Sequence, residues 1–148
     1  MNRLLEAADH LAEHHVFSEE VWMQTGYSTY EPKYCRSAHF FGQEEMNEKI
    51  KACSLLICHA GVGTILSGIK NGKKVIVMPR YRKYGEHVDD HQLEIAKAFS
   101  QSGYVRMIRE VQELPGLVGE INHWKPEPFV SNTDHFFSIL LKTLKNYE

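Results

Sequence analysis

With 148 residues, 43% of them hydrophobic, the chain can bury about two thirds of its unfolded surface, which is enough for one core and excludes two. A net charge of −2 gives no signal for nucleic acid or a bulk anionic membrane, no stretch reaches the ~18 apolar residues of a membrane span, and no signal-peptide pattern is read before Asn2. The three cysteines, Cys35, Cys53 and Cys58, form no C-x-x-C and cannot all pair, which suits a reducing cytoplasm.

Apolar periodicity predicts a helix over 3–14, a strand over 20–24, a strand over 38–41 past a loop, and a helix over 44–51. Residues 55–58 read as an apolar strand that empties into Gly61, Gly63 and Thr64. A helix over 64–70 follows, and it stops at Asn71-Gly72, a C-cap signal. The next strand, over 75–78, ends at Pro79; a helix over 88–102, closed by Gly103, and a strand over 104–108 complete the pattern. Strands alternating with helices predict an α/β fold with a Rossmann-like, doubly wound parallel sheet, whose ligands lie at the carboxyl ends of the strands. Residues 1–112 form the α/β core of a single domain. Residues 113–148 add a loop-rich stretch and an amphipathic C-terminal helix carrying Phe136, Phe137, Ile139, Leu140, Leu141 and Leu144, which packs on the sheet or docks on a partner.

The chemistry concentrates at the glycine turn. Gly61 and Gly63 lack a Cβ and let the backbone approach a ligand closely, while the free N–H groups opening the next helix face an anion. A G-x-G fragment alone does not separate a phosphate site from an ordinary βα turn. His87 and His91, four apart among Glu86, Asp89 and Asp90, have a spacing that could hold a metal, but the same acids suit a helix N-terminus. Arg80, Arg82 and Lys83 form a basic cluster, either a solvated loop or a contact with phosphate or a partner. His10 and His14 read as solvated helix-face residues, and Cys58 as a strand thiol with no base placed to activate it. His59 ends its strand at the ligand edge and is the better site residue.

The run His59-Ala-Gly-Val-Gly-Thr64, then Gly72-Lys, Val75-Ile-Val-Met-Pro79-Arg and Tyr84-Gly-Glu-His-Val-Asp-Asp-His-Gln-Leu-Glu94, resembles the nucleotide-binding half of a GT-B glycosyltransferase. Gln24-Thr25-Gly26, Tyr30-Glu31-Pro32, and Phe40-Phe41 before Glu44-Glu45-Met46 fit the same pattern upstream. The resemblance runs from Gln24 to about Ile108. It is to the small donor-binding subunit of bacterial two-component exopolysaccharide or capsule glycosyltransferases, which carries the family 28 C-terminal domain. Similar modules form the soluble subunit of the eukaryotic dolichol-linked GlcNAc transferase and the C-terminal half of the peptidoglycan N-acetylglucosaminyltransferase.

That resemblance implies a UDP-sugar donor as substrate and no cofactor or metal. The turn over Gly61, Val62, Gly63 and Thr64 would meet the diphosphate, closed from the neighbouring strand by Gln24, Thr25 and Gly26. Main-chain groups near Phe41 and Gly42 would read uracil. Gln92, after His91, would contact the donor sugar, with Arg80 and His59 beside them and His59 a possible catalytic group. It further implies a membrane-associated, acceptor-binding partner subunit carrying a lipid-linked glycan and a place at the inner face of the plasma membrane through that partner; the charge balance predicts no nucleic acid, and the sheet edges that a missing first strand would leave open predict a possible homo-oligomer. Two departures stand out. Ser67 occupies the position where the family usually has a glutamate for the ribose hydroxyls. The family's first strand and its glycine turn, expected before the helix that begins at Asn2, are missing. Both favour the rival reading, a non-catalytic enhancer that stabilises the partner; a metal hydrolase using His87 and His91 is the third.

Overall fold

The computed structural model describes residues 1–87 and 89–129, so the expected C-terminal helix lies outside the described residues. The core is a parallel sheet of β3 (Leu55–His59), β4 (Lys74–Met78) and β5 (Arg106–Met107), in that order. β3 connects to β4 through α3 (Val62–Lys70), and β4 to β5 through α4 (His91–Gln101). Both are parallel crossovers of the βαβ kind.

β4 explains why the sheet is covered on both faces. Its residues Val75, Ile76, Val77 and Met78 are all fully buried, and they alternate between two apolar clusters. Val75 and Val77 join Ile65, Ile69, Ile95 and Phe99 of α3 and α4. Ile76 and Met78 join Leu4 and Leu11 of α1 (Asn2–Glu13) together with Leu114, Leu117 and Val118 of α5 (Leu114–Glu120). The doubly wound α/β architecture expected from the sequence is therefore what the chain forms.

Where α3 crosses the sheet, Gly68 sets the distance: a Cβ there would stand 2.8 Å from Leu56 Cδ2 and from Val75 Cγ2. Gly68→Ala gains about 0.5–1 kcal/mol of helix preference but overpacks the contact by about 1–3 kcal/mol. The expected result is a net loss of about 1 kcal/mol, read as a lower urea midpoint with an unchanged m-value.

Several boundaries differ from the sequence reading, each for a local reason. The expected strand over 38–41 is β2 (Arg36–Ala38) instead, because residues beyond it are drawn into a turn: Gly26 N–H donates to His39 O (2.7 Å) and Phe41 N–H to Gln24 Oε1 (2.9 Å). α3 begins at Val62, two residues early, with Gly61 as its N-cap. α4 begins at His91 rather than 88, since the Asp89 carboxylate accepts from His91 N–H (2.9 Å) and Asp90 turns away to Arg82 N–H (3.0 Å). His87 and His91 are thus not one turn apart on one helix. The stretch after 113, expected to be loop, opens as α5. Glu110 and Glu113 form a capping box ahead of it, and Pro115 sits in its first turn, where a missing N–H costs nothing.

β1 (Trp22–Gln24) pairs in parallel with β2, and α2 (Gln43–Ala52) follows. This two-stranded sheet is separate from the core sheet, and among the described residues no strand lies between β1 and β3. A cavity of about 1410 Å³ fills the gap, lined by β1, by all of β3, and by Leu4, Ala8, Met46, Ile50 and Val118 from helices above and below. α1 is the first element of the chain as given, so no strand among the described residues stands where the resemblance places the first one.

Candidate functional site

Residues at or just past the carboxyl ends of β1 to β4 line this cavity. Gln24, Thr25, Gly26, Phe41, His59, Thr64 and Arg80, from five separate segments, all line it. On the β3 side, His59 ends the strand, Ala60 is fully buried, and Gly61 makes the sharp connection, its N–H donating back to His59 O (2.8 Å). Helix geometry leaves the N–H groups of Val62, Gly63 and Thr64 in the first turn of α3 without intrahelical acceptors. The positive end of the helix dipole adds to them, so the turn favours an anion. Gly61 is glycine for a steric reason: a Cβ would lie 2.7 Å from His59 Cε1, so the imidazole packs directly on its backbone.

On the β1 side, Gly26 takes φ +58°, a left-handed turn that suits glycine. Thr25 is buried; its N–H donates to Ala38 O (2.9 Å), and its Oγ1 lies 3.2 Å from His39 Nδ1. With the Gln24 to Phe41 bond, the turn over 24–26 and the segment over 39–41 form one stitched unit. Lys49 Nζ stands 3.7 Å over the Trp22 ring and 5.1 Å from the Phe41 ring centroid, next to that unit.

Gln92 is buried in the first turn of α4 and faces the sheet. Its Oε1 accepts from Arg80 N–H (3.0 Å), and its Nε2 lies 3.2 Å from His59 Nδ1. Burial is the main reason the His59 imidazole is pushed down to about 4; the Arg80 guanidinium adds to the shift, and the Gln92 bond opposes it. Ser67 lies half-buried on α3, where Asn71 closes the helix onto its carbonyl oxygen (2.7 Å). His91 stands beside Asp89, Nδ1 to Oδ2 at 3.7 Å, and the His91 N–H holds the Asp89 carboxyl below its ordinary value. Burial pushes the Cys58 thiol up to about 12, as befits a core residue. Among the described residues, the ligating atoms that gather are those of His10, Glu13 and His14, all exposed.

Sequence reasoning missed the latch on the loop over 79–87. Arg3 donates to both Glu86 carboxylate oxygens at 2.9 Å and stacks 4.3 Å from the Tyr84 ring centroid. Burial alone would raise the Glu86 carboxyl, but Arg3 and the Tyr81 N–H outweigh it and hold it below its usual range. Asp9 is a second missed anchor. It is 1% exposed and accepts from Tyr30 Oη (2.6 Å), Lys33 N–H (2.9 Å) and Tyr34 N–H (2.9 Å), which fixes the loop between β1 and β2. These partners are 21 to 25 and 83 residues apart, and no local pattern marks them.

A parallel sheet wound on both faces, with a glycine-opened helix at the carboxyl end of its edge strand, defines a Rossmann-like domain of the GT-B kind. Residues 1–138 match the glycosyltransferase family 28 C-terminal domain, and the chain belongs to that family. It is similar to the UDP-N-acetylglucosamine--N-acetylmuramyl-(pentapeptide) pyrophosphoryl-undecaprenol N-acetylglucosamine transferase of Alkaliphilus metalliredigens (strain QYMF), with 38% identity over 65 residues. That match covers 44% of this chain and 17% of the relative. Among solved structures, the NMR structure of ALG13 superposes with a TM-score of 0.52 at 21% identity, over 98% of this chain and 77% of that one, a likeness of fold. Among the described residues, no helix is long and apolar enough to cross a membrane.

Proposed function

We propose that this chain is the donor-binding half of a two-component hexosyltransferase that moves a sugar from a UDP-hexose to a lipid-linked glycan, in exopolysaccharide or capsule assembly. The observation that carries this reading is one cavity whose lining takes in Thr64 at the far end of the glycine turn, His59, Arg80, and Gln24, Thr25, Gly26 and Phe41 of the stitched unit. Each supplies what a nucleoside diphosphate sugar needs: helix N–H groups and a cation for the diphosphate, and, since Gln24 holds the Phe41 N–H, the Phe41 carbonyl oxygen for a uracil N–H. The helix N–H groups would stabilise the UDP leaving group electrostatically, without a metal. Family membership and the name of the Alkaliphilus relative support the same class of donor and acceptor. A membrane-associated partner would bring the acceptor and the general base, and would hold this chain at the inner face of the plasma membrane. Calorimetric titration of UDP into the purified chain is the test, and no measurable heat of binding at millimolar UDP would reject the reading.

The enhancer reading, in which the chain docks on its partner and binds no nucleotide, is favoured by Ser67 alone among the site residues. It too has a measurable consequence. If the ribose grip has been weakened by loss of a carboxylate, Ser67→Glu should tighten UDP binding by about 1–2 kcal/mol, the scale of charge-assisted hydrogen bonds. Unchanged affinity would mean that another residue holds the ribose.

A further inference from the structure

A main-chain group fixes Gln92, and Gln92 in turn fixes His59. The Arg80 N–H can only donate, so the Gln92 atom 3.0 Å from it is the amide oxygen. The other end of the amide is then NH2, which can only donate, and it lies 3.2 Å from His59 Nδ1. His59 Nδ1 must therefore supply the lone pair, which leaves the single ring proton of neutral imidazole on Nε2. Gln92 is 6% exposed, so water competes little for either bond. The ring lies against the Gly61 backbone, and a half-turn would put Cδ2 in place of Nδ1 and lose the Gln92 bond.

We propose that Gln92 is a positioning residue that holds His59 as its neutral Nε2–H tautomer, making His59 a hydrogen-bond donor to an anionic oxygen at the glycine turn and barring it from general-base chemistry. A base needs a free lone pair facing the reacting atoms, and the lone pair of His59 is spent on Gln92. The charges around the ring agree. Arg80, the Met1 amino group and His87 all disfavour a second proton, and burial does so most strongly. A neutral donor suits a diphosphate that already has a guanidinium and helix N–H groups beside it, since it adds a hydrogen bond without a further buried charge. The tautomer stands on the geometry of the chain alone; the identity of the anion rests on the donor-site reading above.

The experiment is nitrogen NMR of the His59 imidazole in the free chain across pH, in the wild type and in Gln92→Glu, followed by UDP titration. In the wild type, Nε2 should carry the proton, and no second proton should bind until pH falls to about 4. Gln92→Glu still offers an acceptor to Arg80 N–H but now presents an acceptor to His59 as well. It should draw the proton to Nδ1 and raise His59 proton affinity about a hundredfold or more, two pKa units. Wild-type His59 protonated at Nδ1 would overturn the proposal without any variant, and so would a Gln92→Glu protein with an unchanged tautomer and titration. UDP should perturb the Nε2 resonance of the wild type, and UDP that binds while leaving it unmoved would overturn the donor role. UDP that does not bind at all would sink the donor-site reading and the role of His59 in it, while the tautomer, read on the free chain, would still be decided.

Discussion

Gly63→Val should lose UDP binding by more than about 100-fold, roughly 2.7 kcal/mol, while the fold stays close to the wild type. A Cβ at Gly63 meets nothing within 4 Å, so the added side chain displaces no part of the protein. Valine and glycine are both poor helix formers, and exchanging them in the first turn of α3 changes stability by a few tenths of a kcal/mol. What the isopropyl group fills is open space next to the helix N–H groups, which an anion must enter to reach them. The effect therefore falls on ligand binding and spares folding, a separation that Gly61 cannot offer, because any side chain there strikes the His59 ring. Calorimetry with UDP, alongside thermal melts of both proteins, reads the two quantities independently. Equal affinity in a normally melting variant would remove the glycine turn from the site.

The βαβ unit built from β3, α3 and β4 was legible in the sequence because its signals are local: two apolar runs, a glycine turn and an Asn-Gly stop, all within 25 residues of chain. The site residues at strand ends were legible for the same reason, since a strand boundary fixes which residue reaches the carboxyl edge. Phe40 and Phe41 misled, because aromatic residues favour strands in general. Instead the turn at Gly26 takes the His39 carbonyl oxygen just before them, and the Gln24 side chain takes the Phe41 N–H. Pro115 and Gly116 suggested a loop, and the capping box immediately ahead of them, over Glu110 to Glu113, overruled them. Gln92 was placed in the site by its motif. The direction of its amide, inward to Arg80 and His59, depends on the packing of α4 against the ends of β3 and β4, which a single sequence does not encode locally. The Arg3–Glu86 latch and the Asp9 anchor were invisible for the simpler reason that each pairs distant segments, through side chains common on solvated surfaces.

The largest stability change is expected from filling the space between β1 and β3. Among the described residues both strands present an unpaired edge to it, and helices α1 and α5 on one face and α2 on the other leave Leu4, Ala8, Val118, Met46 and Ile50 lining its roof and floor. Only an extended segment can satisfy main-chain donors and acceptors on two opposing edges at once, and apolar side chains on both of its faces would match this lining. Met1 also lines the cavity, with its amino group 3.0 Å from Ser28 Oγ, so a strand and glycine turn fused ahead of Met1 would leave the cavity directly into α1. The resulting strand, α1 and β1 would form a further βαβ crossover, a connection that is right-handed in nearly all proteins. Burying about five apolar side chains gains roughly 1.5–3 kcal/mol each, and ordering the segment costs most of that again. Ladder hydrogen bonds on both edges, about 1 kcal/mol each, decide the balance in favour of the strand. A net gain of about 5 kcal/mol, or about 10–20 °C in melting temperature for a chain of this size, is the expected result. UDP affinity should rise with it, because the strand would end beside the turn at Gly61 and tie the two sheets together. The 148-residue chain by itself should sediment as an oligomer, since open edges recruit other chains, and the extended protein should sediment as a monomer. A 148-residue chain that is monomeric, melts cooperatively and matches the extended protein in melting temperature would show that the two sheets need nothing between them.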